Sequence, residues 1–328
     1  MTAKDVIRAR CLRASRKLLC LIQRPVISDT VDHRPEVHRK TKLQRYAPWN
    51  LARISQGHAR EDDVLQYRYN VATGPGAYVY VLDSGTDISH AEFSGRALYG
   101  ENFLPRSPDC DDDGHGTHMA GIIGGKTYGV AKNCTMVSVK VQTKDGKGTM
   151  SDLANGIHWA IQDAVRRGVS DRSVINMSLS GRYNLSVNNA VKKATDAGIT
   201  VVVSAGNSAK FACDFSPASA ITAITVAAIG HDYCRRPFSN YGPCVNLFAP
   251  GSSIPTASIS VGGEQEYSFG TSAAAAHVSG LAAYFISSEN LRGFKAVKSR
   301  ILSAASKGVV KDTRCSSNRL AFNGVSRN

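Results

Sequence analysis

The 328-residue chain contains no apolar run approaching the roughly 20 residues that a membrane-spanning helix requires. It has eight cysteines but no CxxC pair, which argues against a zinc site. No internal repeat and no low-complexity linker divides its larger part, so one main domain is the economical expectation. That part also has little net charge. The formal charge of +14 comes largely from residues 1–45, where 12 Lys/Arg face 4 Asp/Glu, whereas the rest holds 28 against 22. A basic arm on a nearly balanced core disfavours a nucleic-acid-binding role. Within the arm, the run Leu18 to Ile22 is too short for a secretory apolar segment and follows several arginines. No signal peptide is recognisable there. Residues 1–45 are expected to be disordered and residues 46–328 to form the domain.

Hydrophobic residues make up 42% of the chain, enough for a sizeable core. Short Val/Ile-rich runs alternate with helical patterns. Strands are expected at Tyr78–Leu82, Met136–Val141, Ser173–Ser178, Thr200–Ser204, Ile224–Ala227 and Val245–Phe248. Helices are expected at His115–Ile123, Ser151–Arg167, Ser186–Ala197 and Ser272–Ser287. Fully apolar strands between helices indicate an α/β fold of three layers, a mostly parallel central sheet with helices on both faces. In such sheets, ligands gather where strands end at their carboxyl side.

Three stretches carry the chemistry. Gly270-Thr271-Ser272 opens an Ala-rich helical run, which places a hydroxyl beside free backbone N–H groups and the positive end of a helix dipole. Serine is also a common helix cap, so that stretch alone decides nothing. Asp83-Ser84-Gly85 ends a buried-strand pattern, and His115 lies between two glycines at a second helix start. An Asp, a His and a Ser in those positions supply base-orienter, general base and nucleophile.

The order Asp, His, Ser and the flanking residues resemble the subtilisin-type serine proteases, in particular the proteinase K and cerevisin branch of fungal enzymes. The motifs are Asp83-Ser84-Gly85, His115-Gly116-Thr117-His118 and Gly270-Thr271-Ser272. Tyr46 to Ser55, Tyr128 to Lys132, Ser216 to Ser219 and Phe238 to Gly242 match as well, so the similarity runs from about Tyr46 to about Gly324. The resemblance implies a catalytic triad of Asp83, His115 and Ser272, with Asn207 as side-chain donor of an oxyanion hole. It places the substrate cleft between Gly146-Lys147-Gly148, with Met150 on an outer wall, and Ser178-Leu179-Ser180-Gly181. Ala205 and Gly206 would line the primary specificity pocket. Two exposed edges would hold a peptide by main-chain hydrogen bonds.

The same resemblance implies a disulfide between Cys213 and Cys244, and hence an oxidising compartment. Cys110, Cys134, Cys234 and Cys315 receive no assignment. Catalysis is expected to need no cofactor. A structural calcium site would use the carbonyls of Ile221 and Ala223 and the side chain of Asn246, where the family has Asp. The run Asp111-Asp112-Asp113 reads as a solvated loop. Besides Asn246, four positions depart from the family pattern: Ala273, Ala276, Ser180 and Arg182. The expected activity is that of a monomeric serine endopeptidase of broad specificity with apolar or aromatic preference, acting on proteins or peptides. An inhibitory prosegment is a further expected partner. The location is extracellular, with the vacuole as alternative. A catalytically impaired, peptide-binding paralogue is the alternative function.

Overall fold

The computed structural model describes residues 40–57, 65–260 and 265–325. The apolar run at Leu18 and nearly all of the basic arm lie outside the described residues. In chain order the elements begin with β1 (Thr41–Arg45), α1 (Trp49–Ile54), β2 (Gln66–Asn70), β3 (Tyr78–Asp83) and β4 (Ala97–Asn102). Next come α2 (His115–Gly124), β5 (Thr135–Lys140), α3 (Met150–Arg166), β6 (Ser173–Met177), β7 (Gly181–Arg182) and α4 (Leu185–Asp196). Then follow β8 (Thr200–Ser204), β9 (Phe215–Ser216), β10 (Ile224–Ile229), β11 (Leu247–Pro250), β12 (Ile254–Thr256) and β13 (Glu266–Ser268). The last are α5 (Thr271–Ser288), α6 (Phe294–Ala304), β14 (Ser306–Lys307) and β15 (Arg319–Leu320).

Nine strands form one sheet in the order β14-β15-β11-β10-β8-β6-β3-β5-β4, parallel throughout except at β14–β15. Side chains alternate across a strand, so a strand that is apolar at every position must be covered twice. Val79 and Val81 pack with α2 and α5 on one face, whereas Tyr80 and Leu82 pack with α3 and α4 on the other. Val202 and Val226 join the first layer, and Val201 and Val203 the second. Burying each such side chain contributes about 1.5–3 kcal/mol relative to leaving it in water. The expected three-layer α/β architecture is the one observed.

Helix α5 is buried along its whole apolar run, every residue from Thr271 to Ile286. It packs against α2, β6, β8, β10 and β11. A helix apolar all round belongs inside, and alanines let strands and neighbouring helices approach it closely. Helix α1 is tied to it from outside the sheet: Asn50 Nδ2 lies 2.7 Å from His277 Nε2.

The ten expected elements appear, β8 with the ends expected and the other nine with shifted ends, the largest shift being in β11, which runs Leu247–Pro250 rather than Val245–Phe248. Helix α6 was not expected, because it buries only Val297 and Ile301 and carries a thin apolar stripe. Strand β4 at the sheet edge escaped for a related reason. Tyr99 is exposed, and Gly100 sits at a bulge where a Cβ would meet Ser138 O at 2.5 Å. Strand β1 pairs with β2 and falls within the segment expected to be disordered, so the described fold begins before Tyr46. Cys213 and Cys244 form a disulfide with Cα atoms 5.5 Å apart. Cys234 and Cys315 are also disulfide-bonded, whereas Cys110 and Cys134 are free thiols. Among the described residues, no helix is long and apolar enough to cross a membrane.

Candidate active site

Strand β3 delivers Asp83 to the carboxyl edge of the sheet, and α2 begins at His115 beside it. Close contact between the two turns makes this possible: a Cβ on Gly116 would lie 1.9 Å from Gly85 O. Only glycine lets α2 start so near the Asp83-Ser84-Gly85 turn. His115 Nδ1 donates to Asp83 Oδ1 at 2.7 Å, so in the neutral imidazole Nε2 is the acceptor nitrogen. Asp83 is wholly buried, and Ser84 N also donates to its Oδ1 at 2.8 Å. Burial of the imidazole opposes its protonation, but Asp83, with Asp113 and Asp111 behind it, outweighs this and raises its pKa to about 9.

The acidic run is a loop, but only part of it is solvated: Asp113 is exposed and Asp112 partly so, whereas Asp111 turns inward. Asp111 is buried and accepts from Ser84 Oγ at 2.8 Å, Gly114 N at 2.9 Å, Thr117 N at 2.8 Å and Thr117 Oγ1 at 2.6 Å. One carboxylate thereby buckles the Asp83 turn to the start of α2. Burial opposes its ionisation, yet the bonds from Thr117, Gly114 and Ser84 hold its pKa below the ordinary carboxylate value. Lys140, fully buried at the end of β5, donates to Ser84 O at 2.7 Å, Cys110 O at 3.0 Å and Asp112 Oδ1 at 2.5 Å. Lys140 was not singled out from sequence, and Asp111 was read only as part of a solvated run. The available signal was a lysine closing an otherwise buried strand, opposite an acidic run of unknown partners.

Ser272 occupies the first turn of α5, which packs against α2. Its Oγ donates to Ser178 O at 2.9 Å. Among the described residues no hydrogen bond joins Ser272 to His115. Asn207 follows β8, and its Oδ1 accepts from Thr271 N at 2.9 Å and Thr271 Oγ1 at 2.8 Å. Thr271 Oγ1 in turn accepts from Gly206 N at 3.0 Å. With its oxygen anchored, the amide turns Nδ2 toward the Gly270 turn, where a Cβ on Gly270 would lie 2.8 Å away.

Six of the eight residues expected to form the cleft walls, Gly146, Lys147, Gly148, Met150, Leu179 and Ser180, line one depression of about 290 Å³, which Ser178 and Gly181 do not line. Met150 covers Gly181, for a Cβ there would lie 1.8 Å from Met150 Cε. Ala205 is buried behind, and Gly206 has φ of +99°. A Cβ on Gly206 would lie 3.1 Å from Ser180 Oγ, so the serine side chain reaches toward Gly206. Ala273 and Ala276 are fully buried within α5, and Arg182 pairs in β7 with Phe215 of β9.

The residues expected to hold calcium fit such an ion poorly. Lys298 Nζ donates to Ala223 O at 2.8 Å and to Ile221 O at 3.4 Å. Asn246 Oδ1 accepts from Thr225 N at 2.8 Å, and Asn246 contributes no carboxylate charge.

A parallel sheet with an Asp–His pair at its carboxyl edge and a serine opening a buried helix is the architecture of subtilisin-type peptidases. The profile of the subtilase family matches residues 74–326, and the chain belongs to that family of serine endopeptidases. It is 45% identical over 280 residues to Subtilisin-like protease 1 of Pseudogymnoascus destructans, covering 85% of this chain and 68% of that protein. Alkaline protease 1 of Aspergillus clavatus is 44% identical over 283 residues, covering 86% and 69%. Among solved structures, a cold adapted subtilisin-like serine proteinase superposes with TM-score 0.79 at 39% identity, over 85% of this chain and 98% of that one.

Proposed function

We propose that the chain hydrolyses peptide bonds through Asp83, His115 and Ser272, with Asn207 Nδ2 and the Ser272 backbone N–H stabilising the oxyanion. The observation that carries this reading is the 2.7 Å bond from His115 Nδ1 to buried Asp83, which leaves Nε2 as a base. For the reaction, the Ser272 hydroxyl must leave Ser178 O and turn toward that nitrogen. Ser272 Oγ then attacks the substrate carbonyl, and its proton passes to His115 Nε2. The imidazolium so formed is stabilised by Asp83 and gives the proton to the leaving amine as the C–N bond breaks. Water repeats the sequence in reverse to release the acyl group.

The substrate strand lies between residues 146–148 and 178–181, held by main-chain bonds that are indifferent to sequence. Apolar side chains enter the pocket beside Ala205 and Gly206, where aromatic ones meet Ser180. Protein and peptide substrates follow from this geometry, and a monomer suffices because one chain supplies every named residue. An inhibitory prosegment would occupy the same cleft. The Cys213–Cys244 bond supports an oxidising, extracellular location.

A fluorophosphonate probe tests the reading. The folded chain should be labelled and should cleave casein, and Ser272→Ala should abolish both. Labelling that survives Ser272→Ala, or a folded chain that neither labels nor cleaves, would refute it.

A further inference from the structure

The two carbonyls in front of β10 already face a positive charge. Lys298 reaches them from α6, with Nζ 2.8 Å from Ala223 O and 3.4 Å from Ile221 O. Its ammonium also lies 5.2 Å from the centre of the Phe294 ring, one helical turn earlier. An ammonium has three protons to direct at acceptors, so two carbonyls and a ring face satisfy it. Burial lowers the pKa of this lysine, which marks the desolvation that the two carbonyls offset.

The third expected ligand is engaged elsewhere. Asn246 Oδ1 accepts from Thr225 N at 2.8 Å, while Asn246 N donates to Thr225 O at 2.9 Å. That reciprocal pair extends the β10–β11 ladder by one rung beyond Val226 and Leu247. A calcium ion asks for about six to eight oxygens, carboxylates among them. Here two carbonyls are committed to a lysine and the amide oxygen to a backbone N–H. Among the described residues, no group of three or more His, Cys, Asp or Glu is arranged to hold a metal.

We infer that Lys298 is a tethered internal cation: it supplies from within the chain the positive charge at the Ile221 and Ala223 carbonyls, and the fold is held there without a divalent ion. The lysine ties α6 to the loop entering β10. Because the charge is covalently attached, its effective concentration is independent of the medium.

Thermal unfolding in millimolar calcium chloride and in excess EDTA tests this, with phenylmethylsulfonyl fluoride present to suppress autolysis. The wild-type Tm should agree in the two media within about one degree, since no calcium binds the native state there. Lys298→Met keeps the stem but removes the charge, and should lower Tm by about 3–6 °C in both media. The double variant Lys298→Ala/Asn246→Asp empties the position and restores a carboxylate, so its Tm should rise with calcium. Two results would overturn the inference: a wild-type Tm that rises with calcium as much as that of the double variant, or Lys298→Met melting with the wild type in EDTA. The first comparison needs no variant to fold. Loss of proteolysis with unchanged calcium behaviour would strike the proposed activity and leave this inference intact.

Discussion

Ser272 and Ser178 hold each other reciprocally: Ser272 Oγ donates to Ser178 O at 2.9 Å, and Ser178 Oγ donates to Ser272 O at 3.0 Å. Ser178 Oγ also accepts from Asn176 Nδ2 at 3.1 Å, and Ser279 Oγ donates to Asn176 Oδ1 at 2.8 Å. The network pins the start of α5 to the end of β6. Ser178→Ala leaves the carbonyl but strands the buried Asn176 amide and frees the Ser272 backbone. Unfolding should show a loss of about 1–3 kcal/mol, and kinetics a fall in kcat with little change in KM.

Asn207→Ala removes the proposed oxyanion donor. In subtilisin itself the loss of the corresponding donor reduces kcat by about 10²–10³, and the same range is expected here. KM on a peptide substrate should stay nearly constant, because the donor acts on charge that develops only in the transition state. Asn207→Asp should be no better, since a carboxylate accepts where a donor is needed.

The acid limb of activity should lie high. His115 serves as a base only when neutral, and its pKa of about 9 keeps it protonated at neutral pH in the free enzyme. The value of kcat/KM should therefore climb between pH 7 and 9, by about tenfold per unit at the lower end. For stability the sign is also set: a raised pKa contributes fully below about 6.5 and is lost as pH rises through about 9. Asp83→Asn should move the kinetic midpoint toward an ordinary histidine value.

His277 should act in the opposite direction. Its Nδ1 donates to Ala273 O at 2.7 Å, Asn50 Nδ2 donates to its Nε2 at 2.7 Å, and burial lowers its pKa to about 4. The native chain resists a proton that the unfolded chain accepts near 6.5. Stability from this group is complete above that pH and falls by roughly 3 kcal/mol as pH drops through 4. Denaturation of His277→Gln across the same range should show a slope shallower by about one proton.

Ser180→Gly opens the space that Ser180 Oγ spans toward Gly206. The expected result is a gain of about tenfold in kcat/KM for substrates with phenylalanine before the scissile bond, relative to alanine. Equal gains on both substrates would indicate better main-chain contact instead of a wider pocket.

The strands of the sheet and the buried helix α5 were legible because their burial is complete. When every side chain is covered, apolar residues run without interruption and periodicity or length reveals the element. Asp83, His115 and Ser272 stood out because each stands at a strand end or helix start near glycines, whereas Asn207 was named only through the family resemblance. Elements with one wet face bury little: β4 buries only Ala97, and α6 only Val297 and Ile301.

Asp111 and Lys140 could not be read in the same way. An acidic run or a single lysine has no preferred partner within its own stretch, and only the approach of β3, β5 and α2 makes them a buckle. The same holds for Lys298, which lies 75 residues from Ala223 in the chain and 2.8 Å from its carbonyl in space. The sequence by itself determined the α/β layering and the order of the reactive side chains, because burial and turn chemistry are local. The tertiary structure alone decided which charges meet, because a buried charge is settled by whatever distant acceptor the packing brings to it.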